Sequence, residues 1–317
     1  MNSINRRTFL KRSAITGAGA LGATALNQPL FGQPSISPVP RPMAICSGNG
    51  SKAIEKVMEM IGKGSDALDA AIAGVNLVED DPEDMSVGYG GLPNEDGVVE
   101  LDAAVLHGPS YRGGAVAALR NIKNPSRVAR MVMERSDHVL LVGEGALRFA
   151  KAHGFREEDL LTDKSREAWL KWKENLSTQD EWLPPHTLED RDIGALYQAG
   201  ERHYGTIHCS AIDQRGNLSC VTTTSGLAWK IPGRVGDSAV IGAGQYTDND
   251  IGAAGSTGRG ESNIKVCGGF LTVEGMRRGL SPTDACLETL RRVVATSEPR
   301  LLGPDGRPLF GLDFYAI

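Results

Sequence analysis

Thr206 and Thr224 are the residues of this sequence whose spacing brings two reactive side chains together. Thr206 to Ile212 and Leu218 to Thr224 are β-prone arms, and Asp213-Gln214-Arg215-Gly216-Asn217 between them is a cluster that tolerates tight-turn dihedrals. The run predicts a hairpin. With its turn centred near Arg215, Thr206 lies opposite Thr224, and directly opposed residues of an antiparallel pair have Cβ atoms roughly 4.5–5.5 Å apart. A hydroxyl at the head of a strand, faced by a second hydroxyl, is where the chemistry of the chain is expected. Threonines also populate strands because they are β-branched, and the hairpin by itself leaves that explanation open.

Composition narrows the classes of chemistry. A chain of 317 residues can bury a sizeable core as one large domain or two modest ones, and 39 glycines with few aromatics point to many tight turns. A net charge of −5 removes the electrostatic case for nucleic acid, which needs a basic face. The run Ser86-Val87-Gly88-Tyr89-Gly90-Gly91 lacks phosphate-loop spacing and no lysine follows it, so nucleotide binding is rejected. Cys46, Cys209, Cys220, Cys267 and Cys286 are an odd set without C-x-x-C spacing. Neither a zinc site nor a disulfide framework is indicated, and each cysteine reads as a small buried apolar residue. No metal is expected.

Periodicity supplies the elements that must hold the hairpin. Residues 42–47 read as a first strand and 48–50 as a turn, while Ile54, Val57, Met58 and Ile61 form a helical stripe ended by Gly62-Lys63-Gly64. Ser65 is placed to cap a second helix, which Asp80-Asp81-Pro82 stops. Strands are expected over 98–105 and 112–116, and helices over 126–133 and 144–152. Residues 156–202 read as a helix and then an exposed linker leading up to Thr206, the kind of segment where cleavage is tolerated. Beyond the hairpin, polar residues are held on glycines in 233–238 and 255–261, and the latter motif opens an apolar helix over 262–276. Ser281-Pro282-Thr283-Asp284 starts a last long helix, and 309–317 reads as a strand.

The first residues stand apart from the fold. Asn5-Arg6-Arg7-Thr8-Phe9-Leu10-Lys11 resembles a twin-arginine export signal, and the Gly/Ala-rich segment after it is too short and too glycine-rich to span a membrane. Ala23-Thr24-Ala25 offers a small-residue cleavage pattern, and no cysteine follows that could carry a lipid anchor. Residues 1–33 are assigned to this signal. The assignment makes the twin-arginine translocase a partner during export and the periplasm or the exterior the destination, with no membrane anchor afterwards.

From about Met43 to Val294 the chain resembles the N-terminal-nucleophile hydrolases of the glycosylasparaginase (aspartylglucosaminidase) type, which are related to plant-type asparaginases and isoaspartyl peptidases. The first matches are Glu79-Asp80-Asp81-Pro82, Ser86-Val87-Gly88-Tyr89-Gly90-Gly91, Leu101-Asp102-Ala103 and Leu141-Val142-Gly143. They continue with Thr206-Ile207, Gly216-Asn217-Leu218-Ser219, Thr223-Thr224-Ser225-Gly226, Gly233-Arg234-Val235-Gly236-Asp237-Ser238 and Thr257-Gly258-Arg259-Gly260-Glu261. Most are weak alone; their order over most of the chain makes them specific.

The resemblance implies an α+β fold, a four-layer αββα sandwich, made as an inactive precursor that cuts its own Gly205–Thr206 bond. An α-chain over 43–205 and a β-chain over 206–317 would result. Thr206 becomes the nucleophile, and its freed α-amine, with a pKa of about 7.7–8.0, serves as the base without a histidine or a cofactor. Thr224 is expected to hydrogen-bond the Thr206 amine and hydroxyl. Arg234 is expected on the substrate α-carboxylate through its planar fork, and Asp237 on the α-ammonium. The Thr257 hydroxyl and the Gly258 N–H are expected to stabilise the tetrahedral oxyanion. Relatives assemble as dimers of processed heterodimers, which sets the expectation for partners.

Three departures from the family pattern stand out. Tyr204-Gly205 precedes the nucleophile where glycosylasparaginases carry His-Asp, and this junction is closer to that of the plant-type asparaginases. Gly48-Asn49-Gly50 stands where members acting on glycosylated substrates place Trp-Asn-Phe, and His208 replaces a usual glycine. The substrate expected is a small molecule, an N4-substituted asparagine and in first place N4-(β-N-acetylglucosaminyl)-L-asparagine. The alternatives are an L-asparaginase or β-aspartyl peptidase, and a non-catalytic periplasmic protein that keeps the Arg234 and Asp237 clamp for amino acids.

Overall fold

The structure, a computed structural model, describes residues 41–176 and 205–317. The signal assigned to 1–33 and the linker expected after the helix in 156–202 lie outside the described residues. In chain order the first elements are β1 (Met43–Cys46), α1 (Ser51–Gly62), α2 (Ala67–Glu79), β2 (Leu101–His107), β3 (Arg112–Leu119), α3 (Pro125–Arg135), β4 (Leu140–Val142), α4 (Gly143–Ala152) and α5 (Asp163–Glu174). Then come β5 (Thr206–Ile212), β6 (Leu218–Thr224), β7 (Gln245–Asp248), β8 (Gly252–Gly258), α6 (Gly260–Ile264), α7 (Gly268–Arg277), α8 (Pro282–Ala295) and β9 (Leu312–Ala316).

The hairpin sits in the middle of the molecule. A six-stranded sheet has the order β1-β5-β6-β2-β3-β4, and a three-stranded sheet has the order β7-β8-β9. Alternation along the hairpin decides what each face meets. Ile207, Cys209, Ala211 and Val221 point to one side and join Val57 and Ile61 of α1 and Leu68, Ile72 and Val75 of α2 in the main core. On the other side the His208 ring lies over Gly255 of β8, and Thr247 of β7 donates to the Cys220 sulfur at 2.9 Å. Helices α7 and α8 cover the outer face of the small sheet. The layers therefore run helix, sheet, sheet, helix, the αββα sandwich of the α+β class.

Small residues let the helical layer approach closely. Ala53, Val57 and Ile61 recur at helical spacing on the buried side of α1, and Gly74 of α2 packs where a Cβ would overlap Val57 and the Ala53 carbonyl. The cap of α2 differs from the one expected. Asp66, not Ser65, is the N-cap, and its carboxylate accepts from the Leu68 N–H at 2.8 Å. The helix expected over 262–276 is also two helices, because Cys267 takes a left-handed conformation with φ 52° and separates α6 from α7. The break is held by Asn263, whose Oδ1 accepts from the Gly268 N–H at 3.0 Å.

The cysteines divide in a way the composition did not indicate. Cys209 and Cys220 are buried, Cys46 and Cys286 are partly buried, and Cys267 is exposed at the helix break. No helix among the described residues is long and apolar enough to cross a membrane.

Candidate active site

Thr206 heads β5 directly opposite Thr224 of β6, in the register expected from the turn. The Thr206 hydroxyl donates to Thr224 Oγ1 at 3.1 Å. Thr224 Oγ1 also accepts from the Gly226 N–H at 2.8 Å and donates to the Gly205 carbonyl. The peptide joining Gly205 to Thr206 is thus held at its oxygen by the same hydroxyl that receives the Thr206 proton. Both threonines are nearly buried, and both line a cavity of about 970 Å³.

The loop that follows α2 positions the end of β6. The carbonyl of Glu79, at the end of α2, accepts from the Tyr89 N–H at 2.8 Å, and Gly88, with φ 59°, packs against Glu79 where a Cβ would overlap its backbone. Ser86 of this loop in turn offers its carbonyl to Ser225, whose N–H and hydroxyl donate at 2.9 and 2.8 Å. The residue after Thr224 is therefore pinned. On the helix side the Thr223 hydroxyl donates to Glu79 Oε1 at 2.8 Å. Burial pushes the Glu79 carboxyl up to about 7, against the pull of hydrogen bonds from Thr223, Ser126 and Asn124.

Arg234 and Asp237 reach the cavity from the segment 233–238, which two buried carboxylates of the neighbouring strand region hold in place. Glu100 Oε2 accepts from the Gly233 N–H at 2.9 Å, and Asp102 Oδ2 accepts from the Gly236 N–H at 3.1 Å. Asp102 is itself paired with Thr224 across β2 and β6. Burial pushes its carboxyl above the ordinary range. Lys230, almost fully buried, donates to the Glu100 carbonyl at 2.8 Å and the Ser225 carbonyl at 3.1 Å, and burial pushes its ammonium pKa down. Three buried charged groups thus tie the segment 233–236 to the strand that carries Thr224.

Arg234 is not paired with Asp237. Its Nε and Nη2 reach Glu261 Oε1 at 2.8 and 2.7 Å. Burial works against the Glu261 charge, but the Arg234 guanidinium beside it holds the carboxyl below the usual range. Asp237 is buried and accepts from Ser256 Oγ and Asn263 Nδ2, each at 2.7 Å, while burial pushes its carboxyl up. Gly258 opens onto the cavity at φ 120°. Thr257, its neighbour, is buried, is not among the lining residues, and pairs its hydroxyl with Tyr315 at 2.8 Å. Thr206, Thr224, Arg234, Asp237 and Gly258 therefore share one cavity, and Thr257 stands just behind it.

Asn49 and Asp84 line the same cavity and were not singled out for roles from sequence. Asn49 Nδ2 donates to Asp84 Oδ2 at 3.3 Å, and Ser47 Oγ bridges Asn49 Oδ1 at 2.9 Å to the Thr206 carbonyl at 3.3 Å. This wall is polar. His208 fills the space between the sheets: Nδ1 is 2.7 Å from Thr222 Oγ1, Nε2 is 2.8 Å from Ser210 Oγ, and the ring stacks on Tyr315. Burial pushes its pKa down to about 3, so it is a neutral, packed histidine.

The asparaginase family model matches residues 44–303. An N(4)-(β-N-acetylglucosaminyl)-L-asparaginase of Elizabethkingia miricola is 43% identical over 295 residues, which cover 92% of this chain and 80% of that protein. A putative N(4)-(β-N-acetylglucosaminyl)-L-asparaginase of Drosophila yakuba is 38% identical over 271 residues, covering 77% and 68% of the two chains. An isoaspartyl peptidase/L-asparaginase of Xenopus laevis is 40% identical over 237 residues, covering 74% and 71%. The chain belongs to the asparaginase family of N-terminal-nucleophile hydrolases.

Proposed function

We propose that this protein is a self-cleaving amidohydrolase that hydrolyses the side-chain amide of N4-(β-N-acetylglucosaminyl)-L-asparagine and releases aspartate. The observation that carries the proposal is the relay from Thr206 through Thr224 to the Gly205 carbonyl, at the wall of a cavity that also holds Arg234 and Asp237. In the precursor, Thr206 Oγ1 attacks the Gly205 carbonyl carbon while Thr224 polarises its oxygen. The acyl group moves from the Thr206 nitrogen to its oxygen, and water hydrolyses the ester. Residues 43–205 and 206–317 then form the two chains, the second beginning with a free threonine amine.

In the mature enzyme that amine takes the Thr206 hydroxyl proton as the oxygen attacks the substrate amide. Arg234 holds the α-carboxylate and Asp237 the α-ammonium, so the side-chain carbonyl is presented to Thr206. The Gly258 N–H receives the negative charge on the tetrahedral oxygen; the family resemblance gives the Thr257 hydroxyl a share in this role, which from behind the cavity, on Tyr315, requires it to turn toward Gly258. The protonated amine then supplies the leaving nitrogen with its proton, and water releases aspartate from the acyl-threonine. No histidine takes part. The resemblance of 5–11 to a twin-arginine signal supports a periplasmic or secreted location, with the translocase as a partner in export, and the family likeness supports a dimer of processed heterodimers.

A second reading is favoured by the polar wall of Asn49 and Asp84 and by the Gly205–Thr206 junction: an L-asparaginase or β-aspartyl peptidase. Rates on glycosylated asparagine, asparagine and a β-aspartyl dipeptide under one set of conditions separate the two. The highest kcat/KM on the glycosylated substrate supports the first. A β-aspartyl dipeptide cleaved faster overturns it in favour of the second.

A further inference from the structure

The two prospective chains interleave in the large sheet, because β1, from before the cut, lies at the edge against β5, from after it. Their register places Cys46 directly opposite Cys209. One step along, the Ser47 N–H donates to the His208 carbonyl at 3.0 Å, which makes 47 and 208 a hydrogen-bonded pair. Cys46 and Cys209 are therefore a non-hydrogen-bonded pair, the kind with Cα atoms about 4.5 Å apart and side chains closest. That separation falls inside the roughly 4.4–6.8 Å window of disulfides. Both side chains face the helical layer: Cys209 lies in the main core and Cys46 packs against it. Both cysteines are free, and Cys46 is the partly accessible one.

We propose that Cys46 and Cys209 form a cross-strand disulfide that joins the two chains once the protein meets a disulfide oxidant. The partly exposed Cys46 gives its proton to solvent and attacks one sulfur of an external disulfide such as oxidised glutathione, expelling a thiolate. Cys209 then loses its proton and attacks Cys46 Sγ, expelling the second thiolate. Two cysteine thiols are oxidised, and the external disulfide is reduced to two thiols. The cross-link follows from the strand register; its role as a tie between chains rests on the proposed cut at Gly205–Thr206.

The test uses the purified protein, held under native conditions with oxidised glutathione, then alkylated, digested without reductant and mapped by mass. The expected result is a peptide pair joining Cys46 to Cys209, with the exposed Cys267 recovered alkylated or capped by glutathione. The pair disappears with dithiothreitol and in Cys46→Ser, and persists in Cys220→Ser, whose side chain faces the other sheet. On a denaturing gel the two chains of a cut protein run together until reduced. An uncut protein still yields the peptide pair, so failure of the cut and failure of the cross-link are distinguishable. Recovery of both cysteines as alkylated or glutathione-capped peptides overturns the proposal.

Discussion

Thr206 Oγ1 lies 3.1 Å from Thr224 Oγ1 across the first pair of the hairpin, and Thr224 in turn donates to the carbonyl of Gly205. One hydroxyl therefore touches both the oxygen proposed to attack and the peptide proposed to break. Because Thr224 is fixed by the sheet on one side and by Gly226 on the other, it needs no rearrangement to act. Preorganised donors of this kind lower a barrier because their orientation is set during folding.

Thr224→Val keeps the shape of the side chain and removes this relay. Both the self-cut and substrate hydrolysis are expected to slow, by about 10²–10³-fold on the scale of a lost oxyanion donor. Thr224→Ser should retain most of both rates. A time course of fragment appearance on a denaturing gel measures the cut, and an undiminished rate in the valine variant counts against the relay.

Arg234 is held in a fork on Glu261, and a lysine cannot reproduce that planar geometry. Arg234→Lys should lower kcat/KM by roughly 30- to 150-fold, equivalent to about 2–3 kcal/mol, largely through KM. The self-cut, which does not use the substrate clamp, should proceed at a near-normal rate. Steady-state kinetics on the matured variant check the first part, and unchanged KM contradicts the clamp.

The hairpin register was legible because its turn residues are unmistakable and its arms are equal in length. That Arg234, Asp237 and Gly258 share a cavity with Thr206 was legible only through motif order, since nothing in their spacing brings them together, and Thr257 stays behind it. Glu100, Asp102 and Lys230 were missed as supports for the site. Charged residues in and beside strands read as solvent-facing unless a tertiary partner is known, and here the partners include the backbone of Glu100, Ser225, Gly233 and Gly236. The break at Cys267 was hidden for a similar reason: apolar residues continue through it, and the stop comes from Asn263 holding the Gly268 N–H.

His208 gives the fold a specific acid sensitivity. Its pKa falls from 6.5 to about 3 on folding, so between these values the unfolded chain binds a proton that the folded chain does not. Its contribution is fully favourable above the unfolded pKa and is lost as pH falls, by up to about 1.4 kcal/mol per pH unit. His208→Gln should flatten the dependence of the urea midpoint on pH between 4 and 6 by about one proton. Gly255→Ala, which would drive a methyl into this ring, should cost about 1–3 kcal/mol, less when combined with His208→Ala. Equal pH slopes in wild type and His208→Gln would contradict the buried neutral ring.

The central claim is that Thr206 becomes a chain terminus and then the nucleophile. N-terminal sequencing of the mature protein, alongside a hydrolysis assay of wild type and Thr206→Ala, tests it most directly. Two fragments are expected, one beginning at Thr206, and a Thr206→Ala protein that is uncut and inactive. A single uncut chain that hydrolyses the substrate, or an active Thr206→Ala variant, would contradict it.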